Sequence, residues 1–376
     1  GERRKVRRED PGITARTCDA LEHIDFVMSL GLIDDVTPAL ASVYEFAEMI
    51  LNTGKPILPW AFKLSHLKAI YKIARCFCSS DKEFKRRPLF AFFSTWQAPL
   101  MHTDDDLANC LWAVEQGIPV IYAGGGIAGL NAPITGAGLL VLQLANTLAG
   151  LAILQLKRRG APVCLGGVLT AMDLKSTRPT YGTPEMSLYS AAICEIFKYL
   201  NLPFMGTAGA SDSKLTDMQA AIESTTQIML SSLSGANLVH DIGFLDCADI
   251  GSLEMLVMSD EIIAMTKRIM RGIEITDETL MLDLIDEVGP SGEYISSDVT
   301  ARRCRKEITQ LQLMDRDPWV TWEENGSTTL YNRIRLRLHH ILENHKPVPV
   351  PDRIESKIEA ILNAAEEHEA KAVKQI

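Results

Sequence analysis

One phrase recurs along this chain and limits its architecture more than any other feature. It reads GKPI at 54–57, RRPLF at 86–90, GIPVIY at 117–122, GAPVCLGG at 160–167, LPFMGT at 202–207 and GANLVHD at 235–241. Each time a helix-like stretch closes, often on Gly or a basic residue, and a short apolar run follows. Glycine suits the left-handed position after a helix. Proline suits the first residue of a strand, where its missing N–H costs little. IDFVMSL at 24–30 reads as an earlier strand of the same kind. The spacing, roughly 30 to 45 residues, is the period of a strand, a loop, a helix and a return. The runs are nearly continuous in apolar residues, as buried parallel strands are.

Seven such strands predict an α/β fold, a (β/α)8 TIM-type barrel one strand short of closure. The chain opens on a charged arm and not on a start methionine, so we expect a missing N-terminal region that carries the eighth strand. A doubly wound open sheet is the alternative, and the lack of any break between two halves argues against it. We divide the chain into an N-terminal arm (1–20), the barrel (21–289) and a C-terminal helical extension (290–376). SLEMLVMSDEIIAMTKRIMRG at 252–272 reads as a long amphipathic helix ending at Gly272, HKPVPVPDR at 345–353 as an extended segment, and IESKIEAILNAAEEHEAKAVK as a final surface helix.

The net charge of −10 argues against a broad nucleic-acid footprint. The one dense basic run, Arg3, Arg4, Lys5, Arg7 and Arg8, is interleaved with Glu2, Glu9 and Asp10 and reads as a solvated arm. Eight cysteines are scattered without a Cys-x-x-Cys, which suits free thiols in a reducing cytoplasm. No charged residue falls between Gln116 and Leu156, and 136–156 is long enough to span a bilayer. Gln143, Asn146, Thr147 and Gln155 punctuate it, so it reads as a buried barrel helix and not as a membrane segment.

IPVIYAGGGIAGLNAP, at 118–133, contains a literal Gly-x-Gly-x-x-Gly at Gly124, Gly126 and Gly129. A dinucleotide fold also needs an acidic residue about 20 positions on. Here no Asp or Glu occurs between Glu115 and Asp173, so we expect no NAD. Gly124, Gly125, Gly126, Gly166 and Gly167 instead end strands on what would be the active face of a barrel, where bare backbone lets a large flat partner approach. Aromatic residues gather near the same strand ends: Trp60, Phe93, Trp96, Tyr122 and Phe244. Aromatic faces form cages for quaternary ammonium groups, and ordinary core packing is the alternative for each residue. Arg178 could clamp a carboxylate. His240-Asp241 has no second histidine nearby and points to a structural hydrogen bond more than to a metal. Lys175 and Lys214 could form a Schiff base, which keeps a barrel lyase or aldolase open.

Three long stretches, GGVLTAMDLKSTRPTYGTPEMSLYSAA at 166–192, GTAGASDSKLTDMQAAIE at 206–223 and LSGANLVHDIGFLDCADIGSLEMLVMSDEI at 233–262, resemble the trimethylamine methyltransferase superfamily. The resemblance runs from about residue 20 to 350 and implies a (β/α)8 barrel that passes a methyl group from a methylated amine to the Co(I) form of a corrinoid protein. Members of that family begin before the position equivalent to Gly1. The founding branch uses a pyrrolysine, whereas this chain has only standard residues. Relatives without pyrrolysine demethylate quaternary amines such as glycine betaine, proline betaine and carnitine. The resemblance therefore implies a betaine:corrinoid methyltransferase. It needs no bound catalytic metal of its own, because a quaternary nitrogen already leaves as a neutral amine. On this reading Trp60, Phe93, Trp96, Tyr122 and Phe244 form the cage, and Gln97, Arg178 and His240 meet the substrate carboxylate. Asp246 and His240 are the catalytic candidates, Asp246 lying near where the special residue would stand. Gly124, Gly125, Gly126, Gly166 and Gly167 line the corrinoid approach. A homo-oligomer joined through apolar C-terminal helices and a non-catalytic scaffold for the corrinoid protein are further expectations to test.

Overall fold

The computed structural model describes residues 3–373. Five strands, β1 (Phe92–Gln97), β2 (Val120–Gly125), β4 (Val163–Gly166), β6 (Phe204–Thr207) and β7 (Leu238–His240), pair in parallel and in strict chain order. Parallel bridges from Val27 to Ile57 and from Ile57 to Phe90 carry the same sheet two positions further. Six of the seven positions fall on runs read from the sequence; β1 begins two residues past the run at 86–90, of which only Phe90 bridges the sheet. The strand positions contribute Phe26, Leu58, Phe93, Ile121, Cys164, Met205 and Leu238 to one apolar cluster. Residues from the two ends of the sheet thus meet inside it. A flat sheet cannot do that, so the sheet is curled, and the architecture is a (β/α)8-type barrel and not a doubly wound sheet. Two short pairs cap it: β3 (Ile127–Ala128) with β5 (Thr170–Ala171), and the antiparallel β8 (Phe244–Leu245) and β9 (Ile250–Gly251).

The first helices, α1 (Asp10–Ala20), α2 (Ala41–Leu51), α3 (Leu64–Arg75) and the short α4 (Asp81–Arg86), surround the first strand positions. The outer layer continues with α5 (Asp104–Gln116), α6 (Gly136–Lys157), α7 (Pro184–Tyr199), α8 (Met218–Leu233) and α9 (Leu253–Met270). Their starts follow local chemistry: Thr103, Thr135, Asp217 and Ser252 each accept an N–H of the first turn of α5, α6, α8 and α9. Gly117 closes α5 in the left-handed region at φ 80°. Helix α9 lies within the 252–272 helix expected from the sequence, and Gly272 follows it at φ 67°.

Two expectations change. The basic run is not a free arm: Val6 bridges Ile33, Arg4 pairs with Asp10 at 2.6 Å and Lys5 with Asp34 at 2.8 Å. From Asp10 the chain is already the packed helix α1. The uncharged segment does form a barrel helix, α6, against β2 and β4. By length and composition α6 could cross a membrane, yet only a third of its most apolar stretch is buried. Beyond α9 come short exposed helices, α10 (Asp277–Leu280), α11 (Leu282–Val288), α12 (Asp298–Glu307) and α13 (Trp319–Glu324). Then α14 (Leu330–Asn344) and α15 (Asp352–Val373) return to pack on α9 and α1, and on α2 and α3.

Candidate active site

The carboxyl ends of parallel strands open on one face, and the loops that follow them build the mouth of the barrel. Side chains alternate along a strand, so Phe93, Thr95 and Gln97 of β1 share the inner face, with Gln97 at the rim. Across the interior, the Phe93 ring lies 5.7 Å from the His240 ring at a 57° tilt. His240 is buried, and its Nε2 is 3.0 Å from Thr207 Oγ1. The Thr207 hydroxyl proton goes to the Gly167 carbonyl at 3.0 Å, which leaves His240 Nε2 as the donor in that pair. His240 Nδ1 stands 2.7 Å from Asp241 Oδ1 without the alignment of a hydrogen bond.

The loop after β7 gathers several non-glycine residues in the left-handed region. Asp241 sits at φ 78°, and Asp246, Cys247 and Ala248 follow one another at φ 50°, 57° and 67°. Each such non-glycine residue costs on the order of 1 kcal/mol. The neighbouring loop holds them there: Asp246 N–H donates to Ser213 O at 2.8 Å, and Cys247 N–H to Ser211 O at 3.2 Å. The Cys247 thiol donates to Asp212 Oδ1, and burial together with that carboxylate pushes its pKa up to about 12, so it is no thiolate nucleophile.

This loop presents Asp246 to three cations. Its Oδ1 lies 3.3 Å from Arg178 Nη1 and 3.4 Å from Lys214 Nζ, and its Oδ2 lies 3.9 Å from Arg3 Nη1. Arg178 also reaches Asp249 at 3.1 Å. Asp246 is buried, whereas the Arg178 and Lys214 side chains keep 47% and 63% of their surface. Two cations thus share a buried carboxylate and still face solvent over the mouth.

Several residues expected at the mouth lie elsewhere. Trp96 and Tyr122 have the opposite parity to Phe93 and Ile121 and point outward into the helical layer. Trp96 is 2% exposed, with its ring over Gly124; Tyr122 is fully buried, packed on Gly150 of α6 and joined to His102 Nδ1 at 2.5 Å. Neither is part of a cage. The glycines are not bare approach surfaces either. A Cβ on Gly125 would land inside the Val168 carbonyl; Gly124 meets the Trp96 ring, Gly126 meets Leu139, Gly166 meets Ala123, and Gly167 meets Gln143. The glycine loop exists so that the ends of β2 and β4 can close on one another. Trp60 is half-buried, its indole N–H donating to Glu45 at 3.0 Å and its ring edge-on to Phe62 at 4.4 Å. Phe244 is half-buried in β8. Lys175 and Lys214 are both exposed, which removes the desolvation a Schiff-base lysine uses. The structure therefore brings together Phe93 with His240, and Arg178 with Asp246, and leaves Trp60, Gln97 and Phe244 as separate rim positions.

Sequence reasoning passed over the residues that hold this mouth in shape. Gln143, buried in the largely apolar α6, donates to Gly124 O at 3.2 Å and Gly166 O at 3.0 Å. Gln227 of α8 accepts from Gly209 N–H and donates to the carbonyls of Ala210 and Tyr181. An amide inside an otherwise apolar helix was the available signal for Gln143. Among the described residues no three His, Cys, Asp or Glu side chains are grouped to hold a metal ion.

Residues 46–368 match the family model described as trimethylamine methyltransferase (MTTB). The chain is 31% identical to trimethylamine methyltransferase MttB of Desulfitobacterium hafniense (strain DSM 10664 / DCB-2), over 97% of this chain and 74% of that protein. It is 29% identical to MttB of Methanosarcina barkeri (strain Fusaro / DSM 804), over 94% and 71%. It is 27% identical to the glycine betaine methyltransferase of D. hafniense (strain Y51), over 87% and 68%. Among solved structures, the hydroxylamine complex of MtmB superposes with a TM-score of 0.52 at 10% identity, over 90% of this chain and 70% of that one, a likeness of fold.

Proposed function

The chain belongs to the trimethylamine methyltransferase (MTTB) family of methyltransferases, and from that premise we propose that it moves a methyl group from a quaternary amine, glycine betaine first, to the Co(I) of a corrinoid carried by a partner protein. The observation that carries the choice of a betaine is the polarity of the mouth. Its interior offers the ring of Phe93 against His240 and Thr207, while its rim offers Arg178 and Lys214 around one shared carboxylate. A betaine is built the same way: a trimethylammonium end with no hydrogen-bonding capacity, and a carboxylate end. Trimethylamine has no group for the cationic rim. The relative named glycine betaine methyltransferase supports the same choice. Proline betaine and carnitine share this chemistry and rank behind it by size.

The acceptor is a substrate of the reaction and supplies the electron pair that takes the methyl group. The N–CH3 bond breaks with its pair left on nitrogen, so the amine departs neutral and no proton is needed. What remains for this chain is to hold the cation in line. Charge on nitrogen falls in the transition state, so a weak aromatic contact such as Phe93 hinders departure less than a buried carboxylate would. Arg178 would orient the far end of the substrate. Eight free cysteines suit a reducing compartment such as the cytoplasm.

The test combines turnover with one variant. Reduced cobalamin, the protein and glycine betaine should give dimethylglycine and the spectral change of cobalamin methylation. Arg178→Ala should raise KM for glycine betaine about tenfold and leave that for tetramethylammonium, which has no carboxylate, unchanged. If neither cobalamin nor the native corrinoid partner is methylated by any betaine, the reading is wrong and a binding scaffold takes its place. If Arg178→Ala affects both amines equally, the rim does not read the carboxylate.

A further inference from the structure

The second and third strand positions of the barrel bring another aromatic residue beside Phe93. Phe93 N–H donates to Pro59 O at 2.9 Å, which continues the ladder begun where Ile57 bridges Phe90. In a parallel ladder such a bond sets Phe93 opposite Trp60, just as the bond from Phe92 N–H to Pro119 O sets Phe92 opposite Val120. Leu58 belongs to the inner cluster, so Trp60, two residues on, shares its face. Trp60 and Phe93 are thus neighbours on the inner side of adjacent strands, about 4.8 Å apart along the sheet. The Trp60 ring stands at 87° to that of Phe62, and its indole N–H is taken by Glu45 at 3.0 Å. A backbone carbonyl would satisfy an indole equally well. Here the acceptor is an ionisable side chain of α2, 1% exposed, whose other oxygen accepts from Ile33 N–H at 3.4 Å. One carboxyl therefore ties together the loops that follow the first two strand positions.

We propose that Glu45 is a positioning residue of the site: by holding the Trp60 indole it sets a second aromatic wall, beside Phe93, for the ammonium end of the substrate. This rests on the quaternary-amine reading given above. Glu45 lies behind the ring and does not itself grip the cation. Its bond to the N–H fixes the rotation of the indole and adds electron density to the ring face, and a cation is held more tightly by such a face. The bond is charge-assisted only when Glu45 is ionised. Burial pushes the Glu45 pKa up to about 7, which puts that change within the working range of the protein. The titratable groups around it face other partners. Glu48 of α2 pairs with Arg8, Asp34 of the Ile33 loop with Lys5, Glu366 of α15 meets Tyr44, and His66 of α3 meets Glu369. The proton on Glu45 is thus governed by burial and hydrogen bonds and not by a neighbouring charge. Since the ionised form holds the cation better, affinity for any quaternary ammonium rises as the pH passes upward through about 7, and by linkage the cation expels the proton on binding.

Calorimetric titration with tetramethylammonium decides it, because this probe has no carboxylate for the cationic rim to read. The Kd of the wild type should fall about fivefold as the pH rises from 6 to 8. Near pH 7, titrations in two buffers of different ionisation heat should show a proton released on binding. Glu45→Gln keeps an oxygen for the indole and cannot ionise, so its Kd should be flat over the same range, with no proton released. Trp60→Phe keeps a ring and loses the N–H, so it should bind more weakly and be equally flat. That variant leaves Glu45 in place and carries the test if Glu45→Gln does not fold. A wild-type Kd that is independent of pH overturns the role of Glu45 and leaves the quaternary-amine reading standing. A pH dependence that persists in Glu45→Gln assigns it to another group, and one that persists in Trp60→Phe means the charge does not act through the indole; either overturns the proposal. If neither tetramethylammonium nor glycine betaine binds at any pH, the substrate reading falls and this role falls with it.

Discussion

Glu45 is a carboxylate that burial holds far from the behaviour of a free side chain. It sits on α2 at 1% exposure, accepting from the Trp60 indole at 3.0 Å and the Ile33 amide at 3.4 Å. Burial pushes its pKa up to about 7, and the two hydrogen bonds only partly oppose this. The folded state therefore keeps a proton that the unfolded chain releases near pH 4.5. Stability falls as the pH rises from about 4.5 to about 7 and levels off above, a change of about 3 kcal/mol. Glu45→Gln cannot ionise, so its urea midpoint should be flat across that window while the wild-type midpoint declines. The same decline in both would mean that another group is responsible. The consequence for the mouth is positional: Trp60, the one aromatic rim residue with a polar tether, takes its orientation from a side chain that no sequence motif marks.

Among the elements, the β2–β4 junction separates the two meanings a glycine loop can have. If Gly125 is small to admit a ligand, Gly125→Ala should lower activity and leave stability alone. The geometry requires the reverse, since the added methyl would enter the Val168 carbonyl and prise the loop after β4 off β2. We expect a loss of about 3 kcal/mol in urea unfolding, and about 2 kcal/mol for Gly150→Ala, whose methyl would enter the Tyr122 ring. Normal stability with lost turnover in Gly125→Ala would restore the ligand reading. The same junction marks where the sequence stops being legible. The strands could be read because Gly and Pro punctuate apolar runs at a regular period. Which face of each run looks inward could not, because parallel strands buried on both sides are apolar on both. Phe93 and Trp96 are three residues apart, so within one strand they could never share a face, but only the packed structure tells that Phe93 is the inner one. A glycine likewise records a missing side chain and not what fills the space. Arg178 and Asp246 were legible as charged residues on loops, and their pairing across 68 positions was not.

At the scale of the whole molecule, the C-terminal helix straps the final residues to the first third of the chain. From α15, Glu359 pairs with Arg8 at 2.7 Å, Glu366 accepts from Thr37 at 2.6 Å and Tyr44 at 3.0 Å, and Glu369 meets His66 at 2.9 Å. Just before it, His345 reaches Asp19 at 2.8 Å. Only the His66–Glu369 pair is buried on both sides, and it joins α15 to α3. The His66 hydrogen bond holds the Glu369 carboxyl below its ordinary value of 4.5. Its stabilising effect is thus complete above that pH and is lost as the pH falls below it. Since α15 packs on α2 and α3 outside the strands and can detach without opening the barrel, the expected response is local release and not global unfolding. His66→Ala should cost about 2 kcal/mol, and hydrogen exchange should report it in the amides of α15 while the strands β1 to β7 stay protected. Lowering the pH of the wild type from 6 to 3.5 should loosen the same helix first. If exchange in α15 rises only together with that of the strands, the helix is an integral part of the barrel's cooperative unit and the strap is a misreading.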